Sequence, residues 1–457
     1  MERRFESRKA QMLEACQVRP GLFARVTDRL REFVRPFAER LGHRVQQAHV
    51  ESYGVGLTSG LQRKNVESIA YLHDQDRRNL QHFIGESAWD HRPLQAELVN
   101  QVAQELGESD GVIVFDPSAF AKKGTESVGV ARQWCGRLGQ VDNCQVGVYM
   151  GYVSRQEHSL VDARLYLPKS WARDRKQRNK CGVPKQVKYQ TRHELALQML
   201  APQRAILPHT WIAGDDEMGR PTHFRRELAA LNEQYLLAVP SNTTVRDLQG
   251  APPAYQGHGA KPKRKFEQAR RWAASLPESM WTNVDVRDGA KGPLVMQMVK
   301  RRVEARTEKR RVGPQETLVV TRTMDEKADV KYDYYLSNAA IQTPLKEFAR
   351  VIHAEHRIEE CLKRAKSQAG LADYEVRTWR GWHPHQVLSM IATWFLVQET
   401  RRGKKIDAGI DRSSGPRRDR AASATGTLPR HAATSRPGQS TPITTKRTGT
   451  LLPLETT

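Results

Sequence analysis

The sequence predicts an α/β fold built on a mixed sheet, preceded by a helical segment and interrupted by a β-rich insertion. Three observations carry this. Apolar residues recur at three- and four-residue steps up to about residue 105, and near residue 111 the period shortens to two. Helix-type and strand-type stretches then alternate to about residue 240. Finally, a block of alternating runs lies between residues 241 and 340, ahead of a renewed helical pattern.

Residues 1–105 read as a helical N-terminal domain placed for sequence-specific DNA contacts, or as a helical pack that only buttresses the core. FARVTDRLREFVRPFAERL and SIAYLHDQDRRNLQHFI each place apolar side chains on one helix face, and turn-rich GLTSGLQRKN links them. Residues 106–240 form the first part of the core. GVIVFD leads to NCQVGVYMGYVSR, whose Cys144, Val146, Val148, Met150 and Tyr152 share one face. Gly147 and Gly151 fall on the other face, where a neighbour must come close or a bulge must sit. SLVDARLYLP supplies a third strand, and TRHELALQML, TWIAGD, THFRRELAALN and QYLLAVP continue as helix, strand, helix and strand. Three meandering strands followed by alternating helices and strands is the ribonuclease H-like order.

Residues 241–340 carry the insertion, with TNVDVRDG, PLVMQMVKRRVEAR, ETLVVTRTM and YDYYLSNA as its strand-type runs. Residues 341–400 return to helices through LKEFARVIHAEHRIEECLKRAK and HQVLSMIATWFLVQET. Residues 401–457 become rich in Ser, Thr, Arg, Pro and Gly. Such a segment has too little apolar surface to offset its ordering entropy, so a disordered basic tail is expected.

The chain of 457 residues has 74 Lys and Arg against 51 Asp and Glu, a formal net charge of +23. That excess favours a polyanionic partner, above all nucleic acid. Basic runs such as KSWARDRKQRNK and KPKRKFEQARR lie inside the folded part and carry aromatics, which suits contact with phosphates and bases. No apolar run reaches the eighteen or so residues of a membrane span. The five cysteines (Cys16, Cys135, Cys144, Cys181 and Cys361) never form a CxxC pair, which excludes a zinc cluster of that kind. HExxH, GxxxxGK[ST] and GxSxG are absent as well.

Three carboxylates stand where metal-dependent phosphoryl chemistry would use them. Asp116 ends GVIVF, Asp215 ends TWIAG, and Glu359 lies on HRIEECLKRAK. Strand ends at a sheet edge are where open α/β folds gather ligands. Two such ends and one helical Glu could hold two Mg²⁺ ions roughly 3.5–4 Å apart. Read singly, each Asp is as well explained as a turn residue or helix cap. Lys122, Lys123 and Arg132 follow Asp116 closely, and Arg357 precedes Glu359, so these four are the candidate DNA-binding cations. Lys366 lies seven residues beyond Glu359, two helical turns on and on the same face.

FDPSAFAKKGTESVGVARQWCGRLGQVDNCQVGV, DARLYLPKSWA, GVPKQV and IEECLKRAKSQAGLADYEVRTWRGWH together resemble the bacterial insertion-sequence DDE transposases, in the branch with a Y-R-E-K signature around its catalytic Glu. The similarity runs from about residue 10 to residue 405. It implies metal-dependent cleavage and joining of transposon ends, with Asp116, Asp215 and Glu359 as ligands of two Mg²⁺ (or Mn²⁺) ions and Lys366 as the signature Lys. It further implies double-stranded DNA partners (terminal repeats and target), a homodimer on DNA, no membrane association, and a cytoplasmic, nucleoid-associated protein. Ile352 and Glu355 stand where the signature has Tyr and Arg, DEMGR follows the second strand end, and Pro384 interrupts GWHPH. These departures leave open a catalytically inactive DNA-binding remnant, and a nuclease without strand transfer.

Overall fold

The structure, a computed structural model, describes residues 25–413 apart from 137, 253, 261, 290–291 and 325–329. Five helices come first: α1 Val26–Ala38, α2 Arg44–Thr58, α3 Val66–Leu72, α4 Arg77–Gly85 and α5 Arg92–Leu106. Asn65 caps α3 by accepting from the Ser68 N–H at 2.9 Å, and Asp76 caps α4 through Arg78 at 2.8 Å. On α1, Leu30, Val34, Phe37 and Ala38 are buried at helical spacing, the stripe expected of its amphipathic sequence.

Strands β1 Val112–Ala121, β2 Ala131–Cys135, β3 Gln140–Val153 and β4 His158–Leu165 then form a meander. Short helices α6 Lys169–Arg173 and α7 Arg175–Lys180 precede α8 Arg192–Gln203, which opens on a capping box of Thr191 and Glu194. There follow β5 Trp211–Gly214, α9 Asp216–Gly219, α10 Thr222–Ala230 and β6 Gln234–Ala238. The next block holds β7 Thr244–Asp247, β8 Glu267–Gln268, α11 Ala269–Ala274, β9 Thr282–Gly289, β10 Gly292–Arg306, β11 Val312–Met324 and β12 Val330–Ser337. Two long helices close the described chain, α12 Leu345–Gln368 and α13 Trp379–Ser413. Helix α13 thus continues past residue 401, while residues 414–457 of the expected tail lie outside the described residues.

The strands pair into one mixed sheet in the order β2-β3-β1-β5-β6-β12-β11-β10-β7-β8, with β4 on β3 and β9 on β10. Strands β1, β5 and β6 run parallel, and the other pairings are antiparallel. The strand-rich block is therefore continuous with the first half of the sheet, because β12 pairs with β6 through Tyr335 and Ala238. It has its own apolar core, including Trp272, Val303, Leu318 and Leu336, apart from the main one. A buried ion pair joins the two regions. Arg225 of α10 donates to Glu316 of β11 at 2.7 Å, and Tyr235 donates to the same carboxylate at 2.7 Å.

Helix α12 lies across β1, β3, β4 and β5. Its buried side chains include Phe348, Val351, Ala354, Ile358, Cys361, Leu362 and Ala365. Burial of large apolar groups of this kind contributes about 1.5–3 kcal/mol each. The close approach expected at the two β3 glycines is present. A Cβ on Gly151 would fall 2.3 Å from Ile358, and one on Gly147 would fall 3.0 Å from Trp382. Among the described residues no helix is long and apolar enough to cross a membrane.

Candidate functional site

Asp116 and Asp215 each stand one residue beyond Phe115 and Gly214, which face each other across the parallel strands β1 and β5. Asp215 follows the last residue of β5, but Asp116 lies inside β1, which runs on to Ala121 against β3 rather than ending at the Asp as its apolar run suggests. The parallel pairing stops at Phe115 and Gly214, so the two carboxylates become neighbours without any local sequence link. Both are partly buried. Burial pushes the Asp116 carboxyl well above its usual range, and the charges of Asp215 and Glu359 push it further. Asp215 is raised to about 7, chiefly by burial, although its carboxylate accepts from the Met218 N–H at 3.0 Å as the N-cap of α9. Capping thus engages one oxygen of the Asp215 carboxylate.

Helix α12 brings three further groups. Lys366 donates to Ser118 Oγ at 2.6 Å, two residues past Asp116 on β1, and its positive charge opposes the rise in the Asp116 pKa. Glu359 also acts on Asp116, but its side chain is exposed and lies 3.4 Å from His356 Nδ1. Glu355, one turn earlier on the same face, is half-buried. Its carboxyl is held well above its ordinary range by burial, then by Asp215, Glu359 and Asp116. This residue faces the acidic cluster, whereas the sequence marks it only as a charge reversal.

Three cavities meet here. One of about 780 Å³ is lined by Asp116, Ser118, Asp215, Arg192, Glu217 and Lys366. A second, about 600 Å³, is bordered by Asp116, Glu359, Lys363 and Lys366. The third, about 440 Å³, holds Asp216, Tyr335, Glu355 and Glu359 on its wall. Arg192 pairs with Glu217 and donates to Gln133 at 3.2 Å, so a cation reaches the cluster from α8. Nothing local in the sequence distinguishes Arg192 from other arginines. Glu355 did carry a signal, its four-residue spacing from Glu359.

None of the four candidate DNA-binding cations lines these cavities. Lys122 lies over the Tyr374 ring at 3.7 Å, and burial lowers its pKa to about 8. Lys123 and Arg132 are exposed, and Arg132 donates to the Val141 carbonyl at 3.3 Å. Arg357 points away from Glu359, as residues two apart on a helix must, and donates to the Ser154 and Gln156 carbonyls at 2.9 and 3.1 Å.

The donor set is entirely carboxylate oxygen, the chemistry that hard divalent cations prefer. Crowded, partly buried like charges are also what such a cation relieves. As placed, however, no group of three His, Cys, Asp or Glu among the described residues is close enough to hold a metal ion. Asp116 and Asp215 offer oxygens of the kind such a cation takes, while Glu359 stays exposed beside His356.

Residues 36–293, more than half of the chain, match the family model for the DDE superfamily endonucleases. The matched stretch contains Asp116 and Asp215 and ends ahead of α12. A curated relative, described as a probable transposase for insertion sequence element IS701 from Microchaete diplosiphon, is 28% identical over 198 residues. That alignment covers 42% of this chain and 49% of the relative, so the chain spans about half the length of the protein it matches. By its family match over more than half of its length, this chain belongs to the DDE superfamily endonucleases.

Proposed function

We propose that the protein is a DDE transposase that cleaves DNA at insertion-sequence ends and joins them to target DNA with divalent metal ions. The observation that carries this reading is the juxtaposition of Asp116 and Asp215 where the parallel pairing of β1 and β5 stops, with Lys366 tied to Ser118 beside them. The relative described as an IS701 transposase supports it. A ribonuclease H-like core is supported by the order β4-β3-β1-β5-β6, in which an antiparallel meander continues into parallel strands. In this reading residues 106–240 and 341–400 are that core, 241–340 its insertion, and helices α1–α5 a domain for contacts with DNA ends. Joining two ends implies a homodimer on DNA, working in the cytoplasm on the nucleoid.

Asp116, Asp215 and Glu359 would hold two Mg²⁺ or Mn²⁺ ions, which when bound supply activation of the attacking oxygen and stabilisation of the leaving one. The chain's own residues do the rest. Ser118 orients the Lys366 ammonium toward the phosphate beside Asp116. Arg192, held by Glu217, adds positive charge from α8. The test is a labelled duplex carrying the element's terminal repeat, incubated with Mg²⁺, Mn²⁺ or EDTA. Metal-dependent nicking at the repeat boundary, abolished by Asp116→Asn with binding retained, is the expected result. A second reading, a binding-competent but inactive copy, is favoured by Glu359 lying exposed against His356 and by Glu355 in the signature's Arg position. Retarded but uncut DNA would establish that reading instead.

A further inference from the structure

A fourth cavity, about 840 Å³, opens between α10, the β6–β7 connection and the turn joining β10 to β11. Arg220, Arg306 and Arg310 line it, with Thr243, Thr244 and Phe266. Arg220, paired with Asp216 at 3.2 Å, also lines the 780 Å³ cavity that holds Asp116 and Asp215, so one side chain borders both. The β10–β11 turn is fixed against the core from two sides. Glu308 accepts from the Thr222 N–H at 2.5 Å, and Glu316 accepts from Arg225 at 2.7 Å.

Two guanidinium groups lie over the Phe266 ring, Arg246 at 4.6 Å and Arg306 at 4.1 Å from its centroid. The two are not equivalent. Arg246 is neutralised by Glu304. Arg306 has no carboxylate partner among the described residues. It lies over the ring and donates to the Arg310 carbonyl at 2.6 Å. Arg310 occupies the left-handed backbone region at φ 58° in that turn, and its side chain likewise has no ion pair among the described residues. A planar guanidinium anchored by a ring contact and one hydrogen bond leaves its remaining donors as a fork, the geometry that matches a phosphate.

We propose that Arg306 and Arg310 form a phosphate clamp for the DNA strand that runs on from the scissile phosphate past Arg220, with Phe266 as the positioning residue of Arg306. The inference rests on the DNA-cleaving reading above and names one path by which the strand leaves the site. It assigns the β10–β11 turn to DNA backbone recognition, which is independent of base sequence.

The experiment is the salt dependence of binding to a short fluorescein-labelled duplex, measured by anisotropy with the full chain in EDTA. Arg306→Ala and Arg310→Ala should each reduce the slope of log affinity against log salt by about 0.9, and the double variant by about twice that. Lys309→Ala, in the same turn but outside the lining, should change the slope by much less. Phe266→Leu should weaken binding without altering net charge, and Phe266→Tyr should restore it, with thermal melts confirming that both fold. A double variant with the wild-type slope, or an equal loss in Lys309→Ala, overturns the clamp. Wild-type cleavage in Mg²⁺ separates the two ideas. Cleavage with unchanged slopes sinks only the clamp; binding without cleavage sinks the endonuclease reading while the slopes still decide the clamp; no binding at all sinks both.

Discussion

Lys366 and Ser118 are joined by a 2.6 Å hydrogen bond that places an ammonium two residues along β1 from Asp116. Among the influences on the Asp116 carboxyl, Lys366 is the one that favours its charged form. Replacing Lys366 by Met should therefore do two things. The metal-free Asp116 should titrate still higher, and cleavage should slow by about 10²-fold, the effect of losing one aimed cationic or hydrogen-bonding group. Ser118→Ala keeps the charge but releases its anchor, so its loss should be smaller. Single-turnover cleavage with both variants separates charge from position, and equal rates for Lys366→Met and wild type would remove Lys366 from the site.

Asp215 gives a pH dependence with a definite sign. Its pKa is raised from 3.8 to about 7 in the folded chain, so folding disfavours the ionised form. Below the unfolded value the group is neutral in both states and carries no penalty. As pH rises toward 7 the unfolded chain gains by ionising, and the metal-free protein loses stability. The full difference corresponds to a ceiling of roughly 4 kcal/mol. Asp215→Asn keeps an acceptor for the Met218 N–H and cannot ionise. In the absence of metal, the Asp215→Asn variant should melt with the wild type near pH 4 and above it at pH 8. Mg²⁺ should raise the wild-type melting temperature at pH 8 and leave the variant unchanged. A constant difference across this range would argue against ionisation at Asp215.

What could be read in advance follows from periodicity. The nearness of Asp116 and Asp215 was legible because each closes a short apolar run and β1 and β5 pair in parallel up to the residues before them, whereas the continuation of β1 from Asp116 to Ala121 was not. Gly147 and Gly151 announced the close approach of Trp382 and Ile358 because strands expose alternate residues to alternate faces. Arg357 and Lys122 are close to Glu359 and Asp116 along the chain, and nearness along the chain is all the sequence offers for them. That criterion fails on a helix, where two residues apart means opposite sides, and Arg357 accordingly meets the β3–β4 turn. The β6–β12 pairing left no local mark, since it joins Ala238 to Tyr335 across the whole strand-rich block. Glu355 was visible but read for its sign alone; its placement against Asp215 required the tertiary fold.

Glu355 should behave as a fourth carboxylate of the cluster rather than as a lost arginine. Burial, Asp215, Glu359 and Asp116 all press it toward the neutral form. Glu355→Gln should stabilise the metal-free protein above neutral pH, because a raised carboxyl is a burden only once it ionises. The same change should weaken Mn²⁺ binding, followed by calorimetry on the DNA-free chain. Unchanged Mn²⁺ affinity would leave Glu355 as a packing residue.

The contact between Gly151 and Ile358 sets how deeply α12 can lie on β3, and so where Glu359, the next residue, is carried. Alanine at 151 would place a methyl group 2.3 Å from Ile358 Cδ1 and 2.9 Å from Cγ1, a clash that a rotamer change alone cannot clear in a fully buried site. Overpacking of this kind costs about 1–3 kcal/mol. Urea unfolding of Gly151→Ala should show that loss. Cleavage should fall further than the folded fraction does, because the helix bearing Glu355, Glu359 and Lys366 is displaced as a unit. Ile358→Ala alone removes buried apolar surface and should be destabilising, by about 2–5 kcal/mol. In the double variant the new methyl occupies part of the space Ile358 vacated, so the two losses should fall short of additivity. Strict additivity in stability, or full activity in Gly151→Ala, would mean that β3 does not set the position of α12.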